Sequence, residues 1–184
     1  MHVTLRRAKL LPSLRSERVH DELREAVRAT RREGFRITHY TVQSDHVHMI
    51  VEADDSTALA AGLKSFAVRA ARRVNTRVLR RRGSLWGDRH HRRELRSPRA
   101  VRNALVYVMS NPLKHQEWDA GLVDPCSSGL WFEGWMQRVE PPEMPSPVAA
   151  AQTWLLRRGW QGDVDFGHLG ELPRALRDRM PPRA

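Results

Sequence analysis

The sequence predicts an α+β sandwich, with one central antiparallel sheet, helices packed on it and a C-terminal extension. Two observations carry this. Three short stretches alternate apolar and polar residues at a period of two, and three longer ones repeat apolar residues at helical spacing. The strand and helix patterns follow one another within roughly the first 120 of 184 residues, a length that suits one domain of ordinary size plus an extension.

The first strand is "HVTLR" at 2–6, where His2, Thr4 and Arg6 alternate with Val3 and Leu5 before Pro12 breaks the pattern. From Glu17 to Glu33, Val19, Leu23, Ala26, Val27 and Thr30 form one stripe of an amphipathic helix that Gly34 ends. "FRITHYTVQ" at 35–43 alternates Phe35, Ile37 and His39 with Arg36, Thr38 and Tyr40. A polar Gln43-Ser44-Asp45 turn joins it to "HVHMIVEA", so the pair reads as a β-hairpin.

A long helix is predicted over 54–82, with Leu59, Leu63, Phe66, Ala70, Val74 and Val78 inward and arginines on the outer face. "LWGDRHHRRELRS" reads as a hairpin or edge strand. Ser97-Pro98 then supplies an N-cap and a first-turn proline for a third helix that Pro112 is expected to limit. The domain is expected over 1–123, a Pro-rich linker over 124–147 and a helical tail over 148–184, the tail packed through Trp154 and Trp160.

Charge points to the partner. Lys and Arg number 32 against 21 Asp and Glu, a formal net charge of +11. Such a surface favours a polyanion, through phosphate neutralisation and counterion release. Nucleic acid is the first candidate and an anionic membrane surface the second. Between 64 and 102 the only acidic residues are Asp88 and Glu94. There Arg69, Arg72, Arg73, Arg77, Arg89, His90, Arg92 and Arg93 are the candidate phosphate contacts, against the alternative of an arginine-rich surface that serves solubility. Trp86 either stacks on an unpaired base or belongs to the core. The single cysteine, Cys126, excludes an intrachain disulfide and a thiolate metal site, and no signal-peptide or membrane-length apolar run is present, so a cytoplasmic protein is expected.

His46 and His48 stand two apart on a predicted strand and so project to one side. Ordinary polar-face histidines satisfy this spacing, and so does a bidentate metal site. A third, oxygen ligand would suit Mg²⁺ or Mn²⁺. On the third helix Tyr107 and Asn111 are four apart, on the flank of the core stripe Val101, Ala104, Leu105 and Val108. Tyr107 is either a half-buried packing residue or a nucleophile, whereas sheet packing suffices to explain Tyr40, the other tyrosine.

Taken in order, "HVTLR", "HVHMIVEA", a long basic helix, "LWGDRHHRREL" and "YVMSNPLKH" resemble the single-tyrosine HUH transposases of the IS200-like group, and more closely the REP-associated tyrosine transposases. The resemblance covers roughly residues 1–123. It implies a ferredoxin-like sheet, a divalent metal on His46 and His48 and Tyr107 as the nucleophile on single-stranded or hairpin DNA. It also implies a 5′-phosphotyrosine intermediate, and Asn111 stands where such enzymes often place a polar third ligand. A non-catalytic nucleic-acid-binding protein and a water-using metal-dependent phosphodiesterase remain the alternatives. Whether one chain or a homodimer builds each site is left open.

Overall fold

The computed structural model describes residues 1–87, 89–114, 123–135 and 139–161, without the side chains of 112–114. Strands β1 (His2–Arg6), β2 (Phe35–Val42), β3 (His46–Ala53) and β4 (His91–Arg93) form one sheet in the order β2-β3-β1-β4, with every neighbouring pair antiparallel. Helix α1 (Glu17–Ala29) joins β1 to β2, and α2 (Ser56–Arg73) lies between β3 and β4. These are two interleaved β-α-β units, the ferredoxin-like arrangement.

Strand alternation sorts the residues between two cores. Val3 and Leu5 of β1 and Val47, Met49 and Val51 of β3 face α1 and α2, where they bury Val19, Leu23, Leu59, Leu63 and Phe66. Ile50 points the other way, to Val101, Leu105 and Val108 of α3 (Pro98–Lys114). His46, His48, His2 and Thr4 share the parity of Ile50 and so fall on the α3 face.

The β2 alternation expected from sequence breaks at Thr38. Ile37 pairs with Val51 and His39 with Ile50, which leaves Thr38 as the extra residue of a β-bulge. Beyond it the phase reverses. Tyr40 and Val42 join Phe35 and Ile37 in the α1/α2 core, while His39 turns to the other side, edge-on to Phe132 at 5.4 Å.

Two helix expectations are also corrected. Helix α2 is α-helical only to Arg73. Wider π turns follow over Val74–Leu79 and end at Arg80, in the left-handed region at φ 47°. There Asn75 Nδ2 donates to the Gly83 carbonyl and Arg81 N donates back to the Asn75 carbonyl, closing the turn. Helix α3 runs through Pro112 to Lys114 instead of stopping before it. A proline in a helix interior costs about 3 kcal/mol. That is offset here by burial of Val101, Leu105, Val108 and Met109 on the same helix.

The segment expected to be a linker lies against the domain from 124 to 135. Val42 N donates to the Cys126 carbonyl, Tyr40 N to Ser128 Oγ, and Arg15 forks onto Asp124 at 2.8 and 3.0 Å. The outer edge of β2 is thereby covered, which removes a strand edge open to other chains. Farther on, Ala149 N donates to the Ile37 carbonyl, and Trp160 is buried against the α3 core. Trp160 carries that packing; Trp154, expected to share it, is 65% exposed. The rest of the expected helical tail, 162–184, lies outside the described residues.

Candidate active site

The α3 face of the sheet gathers polar rings where a core would ordinarily be apolar. His48 is buried and His46 and Tyr107 are half-buried. His46 Nε2 lies 2.8 Å from His48 Nε2, and Tyr107 Oη lies 3.5 Å from that same His48 nitrogen. The Tyr107 ring meets the His48 ring edge-on, with centroids 5.0 Å apart at 81°. Strand parity brings the two imidazoles together, and packing of α3 over Ile50 delivers Tyr107 to them.

The remaining ring nitrogens are engaged on the far side. His46 Nδ1 lies 2.5 Å from Asp45 Oδ1. Burial alone would raise the Asp45 carboxyl. The His46 hydrogen bond and the charges of His46, Arg6 and Arg7 outweigh it and hold that carboxyl below its ordinary range. His48 Nδ1 lies 2.9 Å from Thr4 Oγ1 and 3.2 Å from His2 Nε2. Burial, the N-terminal amine and Arg93 push His2 down to about 4, so its ring is neutral near pH 7.

These residues fit a divalent cation. Two ligand atoms about 2.1 Å from one octahedral cation stand on the order of 3 Å apart, close to the separation of the two Nε2 atoms. Asn111, one turn beyond Tyr107, is 1% exposed, and neither its amide nitrogen nor its oxygen has a hydrogen-bond partner among the described residues. A buried amide in that state is costly unless a group beyond the described residues engages it. No group of three His, Cys, Asp or Glu able to hold a metal is found among the described residues, so an acceptor such as the Asn111 amide would have to complete the set.

The expected phosphate contacts divide between two faces. Arg69, Arg72, Arg73 and Arg77 line a groove of about 750 Å³ with Arg32 and Lys64, on the outer side of α1 and α2, across the sheet from Tyr107. Arg73 pairs with Glu22 at 2.7 Å, and Arg77 approaches the same carboxylate at 3.5 Å. On β4, Arg93 is paired with His2 and His91 with Thr4, which puts both on the Tyr107 face; Arg92, paired with Val3, takes the opposite one. Arg89 is exposed and His90 partly so. Trp86 is turned inward: its indole N–H donates to the Ala67 carbonyl and its ring packs near Phe66 at 6.0 Å.

Two residues at this site were missed in the sequence. His2 and Thr4 carry the right parity in their own strand, but what brings them to His48 is the register of β1 with β3. No local pattern encodes that register.

Residues 1–108, which include both histidines and Tyr107, match the family described as IS200-like transposases. The chain belongs to the IS200-like transposase family. This places it among DNA-processing enzymes. The fold of this transposase-family chain is similar to a solved structure of a REP-associated tyrosine transposase bound to a REP hairpin. The TM-score is 0.55 at 17% identity, over 83% of this chain and 92% of that one. No curated protein matches the chain in sequence. Among the described residues no helix is long and apolar enough to cross a membrane.

Proposed function

We propose that this IS200-like transposase cuts and rejoins single-stranded DNA through Tyr107, with a divalent cation held by His46, His48 and Asn111. The observation that carries this is the convergence, in one chain of that family, of Tyr107 Oη and His46 Nε2 on His48 Nε2, at 3.5 and 2.8 Å. A cation bound there, Mg²⁺ or Mn²⁺, would polarise the scissile phosphate and neutralise its charge. Tyr107 Oη forms the new bond to phosphorus and the bond from phosphorus to the 3′ oxygen breaks. The products are a 5′-phosphotyrosine and a strand that ends in a 3′-OH. Attack by a 3′-OH on the phosphotyrosine reverses the step or transfers the strand.

Asp45 orients His46, and the half-buried ring of His2 and the buried ring of His48 hold Tyr107 over the reacting position. Arg93 and His91, on the same face, suit the phosphates that flank the cut. The groove beneath Arg69, Arg72, Arg73 and Arg77 suits a second stretch of backbone, and the hairpin in the similar structure supports hairpin-forming DNA as the substrate. The test is incubation of the purified chain with hairpin-bearing single strands and Mn²⁺. A protein–DNA adduct that survives denaturing electrophoresis is expected. Cleavage without an adduct would favour a water nucleophile instead.

A further inference from the structure

An imidazole can ligate through one nitrogen only while its proton sits on the other, and the hydrogen bond made by that other nitrogen decides which form is present. His46 has Asp45 for this task. For His48, the more buried of the two, Nδ1 lies 2.9 Å from Thr4 Oγ1 and 3.2 Å from His2 Nε2, both on the neighbouring strand.

We propose that Thr4 and His2 are positioning residues for His48: both accept from its Nδ1–H, and together they keep the Nε2 lone pair aimed at the point shared by His46 and Tyr107. This rests on the metal-site reading above. The arrangement is fixed by the ladder, since Thr4 is the direct cross-strand partner of His48 and His2 is its diagonal neighbour. Thr4 is β-branched and so has few rotamers through which its hydroxyl could leave. His2 also touches the nucleophile's ring: its centroid is 5.1 Å from His48 and 5.7 Å from Tyr107, edge-on to the latter at 66°. One side chain of β1 thus braces both the ligand and the nucleophile. Thr4 and His2 do not contact the scissile phosphate in this role; they act through His48.

The full-length chain, labelled with ¹⁵N-histidine and saturated with diamagnetic Mg²⁺, reports the His48 tautomer through two-bond ¹H–¹⁵N correlations. Nδ1–H is expected; a dominant Nε2–H form overturns the proposal without any variant. In parallel, Mn²⁺ alone is titrated calorimetrically into wild type, His48→Ala, Thr4→Ser and the double variant Thr4→Val/His2→Phe. The double variant preserves strand shape and ring volume but removes both acceptors. Its Mn²⁺ affinity is expected to fall about 10–100-fold, the usual effect of losing a partner that orients a metal ligand. Thr4→Ser, which keeps the hydroxyl, is expected to bind as wild type does. If Mn²⁺ affinity drops in His48→Ala but not in the double variant, the positioning role is wrong while the metal site stands. If Mn²⁺ affinity is indifferent to His48→Ala, the metal-site reading fails, and the positioning role fails with it.

Discussion

Replacing Glu52 by Gln tests how the C-terminal extension is held to the sheet. Glu52 follows His48 by four residues on the same face of β3 and is 5% exposed. Its Oε1 accepts from Thr153 N at 2.9 Å and Thr153 Oγ1 at 2.6 Å; its Oε2 accepts from Gln152 N at 2.8 Å and Arg36 at 3.1 Å. An amide can satisfy only one of these two pairs, because its NH₂ would confront donors on the other. Two hydrogen bonds to a charged group are lost, at about 1.5–3 kcal/mol each, so Glu52→Gln is expected to cost about 3–6 kcal/mol. Urea unfolding followed by tryptophan fluorescence measures this, and limited proteolysis shows whether 149–161 is released first. A loss below about 1 kcal/mol would refute the reasoning, because that is the scale of an exposed interaction.

The same carboxylate sets a pH dependence. Burial alone would raise it, but the bonds from Thr153, Gln152 and Arg36 outweigh burial and hold it below its ordinary value of 4.5. Its contribution is therefore complete above 4.5 and lost as pH falls through the lower, folded-state value. Wild type should lose stability more steeply than Glu52→Gln below that point.

Three further outcomes follow from the packing and the charge distribution. Tyr40 Oη is buried without a hydrogen-bond partner among the described residues, so Tyr40→Phe should be neutral or stabilising by about 1 kcal/mol in urea unfolding and should leave cleavage intact. Gly62→Ala should destabilise by about 1 kcal/mol or more despite alanine's better helix propensity. An added Cβ would stand 2.1 Å from Cγ of the buried Phe35 ring, and thermal unfolding reads the loss. Single-stranded DNA binding should weaken with salt at a log–log slope of about 0.7 per phosphate contacted, and Arg69→Ala/Arg72→Ala should reduce that slope by about 1.4; a slope unchanged in the double variant removes the groove from the binding path.

What the sequence shows plainly is whatever is written at short range. The parity of His46 and His48, the stripe of α1 and the four-residue step from Tyr107 to Asn111 all follow from local periodicity. Departures arise where distant contacts decide. The bulge at Thr38 depends on pairing with Ile50 and Val51, and α3 continues through Pro112 because its apolar stripe is already committed to Ile50. Gln152 and Thr153 look like loop residues until Glu52 meets their backbone. Thr4 and His2 are ordinary strand residues until the β1–β3 register sets them against His48.

The central claim is that Tyr107 is the nucleophile. The direct measurement is covalent adduct formation on hairpin-bearing single-stranded DNA by Tyr107→Phe and His46→Ala, side by side with wild type. Phe keeps the ring that packs against His48 and His2 and removes only Oη, so folding and DNA affinity should persist while cleavage and adduct both vanish at every Mn²⁺ concentration. His46→Ala should also lose both, with partial recovery as Mn²⁺ is raised. Cleavage by Tyr107→Phe at a rate near that of wild type would contradict the account and leave the histidine site to a water nucleophile.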